Sequence, residues 1–135
     1  MDTLIVGSGD LSRRVATRLD ADGRTCLVVD DDRVRVDRAR AAGLRAKRVD
    51  LRDAYALRTV VPGRVATAVV TTDTDSRNLL AAQSLASADG VERVVVLLNH
   101  PANGVVFDDL AVETVCSTNV LADALATTAD RPLLP

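Results

Sequence analysis

An α/β fold, a doubly wound parallel sheet of six strands with helices on both faces, is what this 135-residue sequence predicts. Three observations carry that prediction. Apolar runs of four to seven residues recur at even intervals along the chain. Each is followed by a polar turn and an amphipathic stretch. Four of the runs are dominated by Val, Leu and Ile with little alternation, the pattern of strands buried on both faces. Strands that alternate with helices in this way pack as a parallel sheet with crossover helices on its faces. The length suits one domain, here residues 1–126, with a tail at 127–135.

The elements follow in order. The first strand, residues 3–6, runs into a Gly-rich turn and a helix over 10–21, which Gly23 ends. A strand at 26–29 leads to a helix over 33–42, with Asp31 or Asp32 as its N-cap and Gly43 at its end. The third pair is a strand at 45–49 and a helix over 53–60, broken by Pro62-Gly63. The fourth is a strand at 66–71 and a helix over 75–88. Asp73, Thr74 or Asp75 caps that helix, and Leu79, Leu80, Gln83 and Leu85 form its stripe. Strands at 93–98 and 111–116 precede helices over 102–110 and 119–126. Leu133-Leu134 in the tail reads either as a frayed end or as an apolar stub.

Composition excludes several function classes. The chain holds 21 Val and 20 Ala but no Trp, with Tyr55 and Phe107 as the only aromatics, so no stacking platform for single-stranded nucleic acid exists. Seventeen basic against nineteen acidic residues leave no basic field for a nucleic-acid backbone. The longest uncharged stretches fall far short of the ~20 residues that span a bilayer. The start of the chain does not resemble a signal peptide, and a cytoplasmic location is expected. Cys26 and Cys116 show no metal spacing, and the predicted order puts their strands roughly 19 Å apart, too far for a disulfide.

The strongest chemical signal is the loop Gly7-Ser8-Gly9-Asp10-Leu11-Ser12, which links the first strand to the first helix. Gly7 permits the tight turn, and Gly9 removes the side chain that would hold a pyrophosphate away from the backbone. The helix start offers free N–H groups and partial positive charge to phosphates. Ser12 occupies the position of the usual third glycine, where helix and sheet approach closely. The alternative reading is a tight turn that merely uses glycines. Asp30 ends the second strand 21 residues after Gly9, where a carboxylate can accept both hydroxyls of an adenosine ribose. Asp31 and Asp32 extend a cluster that repels a 2′-phosphate, and Arg33 is positioned to soften that repulsion. These features make the fold Rossmann-type, with strand order 3-2-1-4-5-6 and a nucleotide at the switch point.

Other chemistries lack their residues. Lys47 is the only lysine and lies in no P-loop, and Tyr55 has no lysine four residues away on its helix. A phospho-receiver lysine at the end of the fifth strand is replaced by Leu97 and Leu98. A single histidine, His100, supports no nucleophilic triad and reads as a turn residue before Pro101.

The order of turns resembles the regulator-of-potassium-conductance nucleotide-binding domains, also called KTN or TrkA-N. Gly7-Ser8-Gly9, Asp30, the turn from Val49 through Asp50 and Leu51 to Asp53, Thr71-Thr72-Asp73 with Asn78-Leu79-Leu80, and Asn99-His100-Pro101 carry the resemblance over residues 3–126. It implies that Asp50 accepts from the adenine amine and that the Leu51 backbone completes that contact. Thr71, Thr72 and Asp73 would line the crevice, and Asn78 would pin the strand-four turn. Val49 and Leu51 are bulkier than the residues usual beside that Asp, and Leu97 stands where many members carry Arg.

The resemblance further implies a cytoplasmic sensor that binds NAD(H) or ATP/ADP without turnover. Such domains regulate a potassium transporter or channel subunit and pair, through the last strand and helix, as a homodimer or higher ring. Two alternatives stay open: the same module within a larger enzyme such as a phosphoesterase fusion, and a small NAD-dependent oxidoreductase or methyltransferase.

Overall fold

Six parallel strands align in the predicted Rossmann order, 3-2-1-4-5-6 by position in the chain. The fold comes from a computed structural model that describes residues 1–7, 9–61 and 63–133. The elements are β1 (Thr3–Val6), α1 (Asp10–Ala21), β2 (Cys26–Asp30), α2 (Arg33–Ala41), β3 (Ala46–Arg48) and α3 (Ala54–Thr59). Then come β4 (Val65–Val70), α4 (Asp75–Ala86), β5 (Val91–Leu98), β6 (Glu113–Cys116) and α5 (Ser117–Ala129). The predicted Pro62 break and Leu134 lie outside the described residues.

Alternation along β1 divides the core. Leu4 and Val6 join Leu57, Ala82, Leu85 and Phe107 on the face covered by α3 and α4. Ile5 joins Ala16, Cys26 and Val28 beneath α1. The register pairs Val6 with Val29 on one side and with Val70 on the other, so β1 is the central strand. Its ladder ends with the Gly7 N–H donating to Val29 O at 2.7 Å and the Thr71 N–H donating to Val6 O at 2.9 Å. Beyond these bonds the chains from β1 and β4 turn to opposite faces, which opens a crevice at the carboxyl ends of the strands.

Local signals set most boundaries. Asp32 caps α2, accepting from the Val34 and Arg35 N–H groups at 2.8 and 3.3 Å, and Asp53 caps α3 in the same way. Gly23 and Gly43 take φ of +82° and +86° just past α1 and α2, a conformation that favours glycine. Thr74 is the residue at the N-cap of α4.

Four details differ from the sequence reading. The fifth helix is a 3₁₀ segment, Pro101–Phe107. The Asp75 carboxylate holds the His100 N–H and the Asn103 side chain and fixes that segment as a tight turn instead of an α-helix. On α4 the buried stripe is Asn78, Ala81, Ala82 and Leu85, whereas Leu80 is exposed, because small residues let this helix lie close to the sheet. Strand β3 is shorter than expected, as an edge strand paired only with β2. Helix α5 runs to Ala129, since nothing in Thr127-Thr128-Ala129 breaks a helix; Pro132 follows its end.

One region of the sheet is thinly covered. Between α1 and α5 an apolar groove of about 350 Å³ is lined by residues including Leu11, Val15, Val95, Leu97, Val120 and Leu121. No residue of α5 is buried. Among the described residues no helix is long and apolar enough to cross a membrane.

Candidate functional site

The β1–α1 turn is built around Gly7. Its φ is +110°, and a Cβ there would sit 3.1 Å from Ser12 Oγ and 3.3 Å from the Thr71 backbone. Gly9 differs: its φ of −72° is ordinary, it occupies the N-cap of α1, and a Cβ on it would meet nothing within 4 Å. Its bare side faces open space, and among the described residues no side chain caps the first-turn N–H groups. Glycine at the first position is required by the fold, whereas at the second it leaves room for something from outside. Ser8 lies outside the described residues.

That space belongs to a cleft of about 260 Å³ at the switch point. Gly7, Gly9, Asp10, Leu11 and Ser12 line it from the loop, Asp30 from β2, and Thr71, Thr72 and Asp73 from the turn after β4. Arg35, Leu97 and Asn99 complete the wall. Most of the sequence candidates therefore converge.

Asp30 lies on the floor, only 1% exposed. Its Oδ1 accepts the Asp32 N–H at 2.8 Å, and Arg35 reaches to 3.8 Å from its Oδ2. Arg35, not Arg33, is the cation of this wall. Asp32 is the N-cap and Arg35 is three residues on, the position whose side chain folds back toward the cap. Arg33 is exposed and does not line the cleft. Asp31 stands beside the cleft and pairs with Arg77 at 3.6 Å. Burial, helped by its contact with Asp30, pushes the Asp31 carboxyl above its ordinary pKa despite that arginine.

The turn after β3 stands apart from this cleft. The exposed Asp50 carboxylate turns onto its own loop and accepts the Arg52 N–H at 3.0 Å. The Leu51 side chain is buried in the main core with Val49, so their bulk is absorbed away from the crevice. Asn78 does not line the cleft but holds it together. Fully buried, its Oδ1 accepts the Thr72 N–H at 3.0 Å and the Thr72 hydroxyl at 2.5 Å. Its Nδ2 donates to Thr72 O at 3.0 Å and to Leu97 O at 2.9 Å, joining the ends of β4 and β5.

Ser12 has a positive role of its own. The Thr71 hydroxyl donates to Val6 O at 3.1 Å, so the 2.7 Å bond between Ser12 Oγ and Thr71 Oγ1 has Ser12 as donor. The residue that replaces the third glycine thereby ties α1 to the β4 turn across the mouth of the crevice.

A second buried polar centre supports the far wall. The Asp75 carboxylate accepts from the Asn99 and His100 N–H groups at 2.7 and 3.0 Å and from the Asn99 and Asn103 side-chain amides at 3.1 and 2.8 Å. Burial alone would raise its pKa, but these donors together hold it below the ordinary carboxylate range. Sequence reasoning saw Asp75 only as a possible cap. The signal was present in the Asn99-His100-Pro101 turn, but its partner could be found only from the fold.

A family model for the TrkA-N domain matches residues 3–118. Among solved structures, the NAD(P)-binding domain of an exopolyphosphatase-related protein from Archaeoglobus fulgidus is similar, with a TM-score of 0.84 and 21% identity over 95% of this chain and 96% of that one. The TrkA-N domain of the inner membrane protein ybaL from Escherichia coli has a TM-score of 0.81 and 15% identity over 96% of each chain. The UDP-glucose 4-epimerase of Thermus thermophilus, solved with NAD, is more distant. It gives a TM-score of 0.57 and 23% identity over 73% of this chain and 38% of that one. No curated protein matches the sequence.

Proposed function

The chain belongs to the TrkA-N domain family, and from that premise we propose that it is a nucleotide-sensing regulatory domain of a potassium transport system. It binds NAD(H) or ATP/ADP without turnover. The observation that carries this reading is the open side of Gly9 above a cleft that also holds Asp30. A pyrophosphate fits against the uncapped start of α1, and a ribose hydroxyl pair fits Asp30 once Arg35 gives way. Among the described residues the cleft wall supplies hydroxyls, amides, carboxylates and one guanidinium, and none of them forms a paired nucleophile and base.

The partner of this reading is a second copy of the chain. The apolar groove beside α5, which Val120 and Leu121 line, and the exposed Leu125 on that helix form one apolar face. A dimer or ring formed through it would carry a change at the cleft to a membrane transporter subunit, since Leu11 and Leu97 line both cleft and groove. The same module serving a phosphoesterase is the second reading, favoured by the likeness to the exopolyphosphatase-related protein's domain.

Thermal unfolding against NAD⁺, NADH, NADPH, ATP, ADP, AMP and S-adenosylmethionine tests the proposal. A ligand at 100 times its Kd stabilises by about 2.7 kcal/mol, or about 10 °C for a domain of this size. A shift with NAD(H) or ATP/ADP that is lost on Asp30→Ala supports it. A shift with S-adenosylmethionine alone, or turnover of a bound nucleotide, refutes it.

A further inference from the structure

The carboxylates around the cleft are not equivalent. Asp10 pairs with Arg13, Asp30 with Arg35, and Asp31 with Arg77. Asp73 is different. It is exposed at the cleft wall, where the neighbouring Thr74 hydroxyl donates to it at 3.1 Å. Among the described residues it forms no ion pair. The one cation that lines the cleft among those residues, Arg35, stands at the opposite end beside Asp30.

This asymmetry matters because a bound dinucleotide has a direction. In a crevice of this topology the adenosine ribose meets the acid at the end of β2, and the pyrophosphate crosses at the start of α1. The second half then lies over the ends of β4 and β5, where Asp73, Leu97 and Asn99 form the wall. An uncompensated carboxylate beside the apolar Leu97 suits a flat aromatic group with positive charge and opposes a terminal phosphate.

We infer that Asp73 is a specificity-determining residue that selects an oxidised nicotinamide dinucleotide over its reduced form and over ADP or ATP. This rests on the nucleotide-binding reading above and narrows it. Oxidised and reduced dinucleotides have nearly the same shape but differ by one positive charge on the nicotinamide ring, so Asp73 makes the site sensitive to oxidation state through charge. ATP extends a third phosphate toward the half of the cleft that Asp73 lines, and ADP ends at the pyrophosphate, with more negative charge than NAD⁺ and no ring cation for Asp73 to attract. An exposed charge pair is worth up to about 1 kcal/mol, which corresponds to a preference of about five-fold at low salt.

Calorimetric titration of the full chain with NAD⁺, NADH and ADP, at low and at moderate salt, tests the inference. NAD⁺ is expected to bind about five-fold more tightly than NADH at low salt, with the gap narrowing as salt rises. Asp73→Asn should bring the ratio close to one by weakening NAD⁺ and strengthening NADH and ADP, while Asp73→Glu keeps the preference. Because Asp73 is exposed and outside every ion pair described, melting curves of both variants should match the parent. NADH or ADP binding as tightly as NAD⁺, or a ratio unmoved by Asp73→Asn, overturns the inference and leaves the nucleotide site standing. Absence of binding by every nucleotide overturns the underlying reading and this inference with it.

Discussion

Replacing Asn78 by Ala removes four hydrogen bonds from the centre of the candidate site. The Thr72 N–H and hydroxyl lose their acceptor, and the carbonyls of Thr72 and Leu97 lose a donor. The damage is unequal. Thr72 O keeps the Asn99 amide at 3.1 Å, and the Thr72 hydroxyl can turn to Thr74 O at 3.2 Å. The Thr72 N–H has no such alternative in its buried position. One unsatisfied buried donor costs about 1–3 kcal/mol, and the space left by the amide adds to it, for a total of about 3 kcal/mol. With an unfolding entropy of about 2.1 cal/mol/K per residue, that lowers the melting temperature by about 10 °C. Urea titration and calorimetry of Asn78→Ala measure it directly, with m unchanged if the unfolded state is unaffected. Gln83→Ala, on the exposed side of the same helix, is the control and should stay within about 0.5 kcal/mol. A loss below about 1 kcal/mol for Asn78→Ala would refute the idea that this amide holds β4 and β5 together.

Further outcomes follow from other contacts. Ser12→Ala and Thr71→Val, made singly and together, should show a coupling of about 0.5–1.5 kcal/mol in unfolding experiments, since each hydroxyl loses its partner in the other variant. The Asp75 carboxylate, held below its ordinary pKa by its donors, stabilises the fold above the unfolded carboxylate value of about 3.9. That contribution is lost as pH falls through the lower folded value, so melting temperature should drop in acid, and Asp75→Asn should flatten that limb of the profile. Gly7→Ala should destabilise by about 1–3 kcal/mol from its positive φ and crowding against Thr71, whereas Gly9→Ala should leave stability nearly unchanged and weaken nucleotide binding. Leu121→Asp with Leu125→Asp should keep the fold, because α5 buries nothing, yet abolish self-association in sedimentation experiments.

Much of this architecture was legible in the sequence for a definite reason. Uniform apolar runs report burial directly, so the strands were found, and turn residues such as Gly23, Gly43 and Asp32 marked where the helices end or begin. The glycine loop and Asp30 are consecutive with their elements, so their convergence on one cleft could be anticipated from topology. What could not be read depends on contacts across the chain. The Asp75 centre joins residues 24 to 28 positions apart, and the Ser12–Thr71 bond spans 59. The choice of Arg35 over Arg33 hinged on which aspartate caps α2, a point the sequence left open between two neighbours. That the Leu51 side chain joins the main core was not readable either, because a hydrophobic side chain in a loop carries no sign of which way the loop turns it.

Helix α5 has a thermodynamic consequence of its own. Thirteen residues with no buried side chain are near the length at which an isolated helix is only marginal in water. Its coil–helix equilibrium therefore responds to whatever covers Val120, Leu121 and Leu125. Amide hydrogen exchange along this segment should be fast at high dilution and slow as protein concentration rises, while the sheet amides remain protected throughout. Under the proposed pairing, the last helix is a folding unit separate from the sheet, ordered by mass action rather than by the core that precedes it.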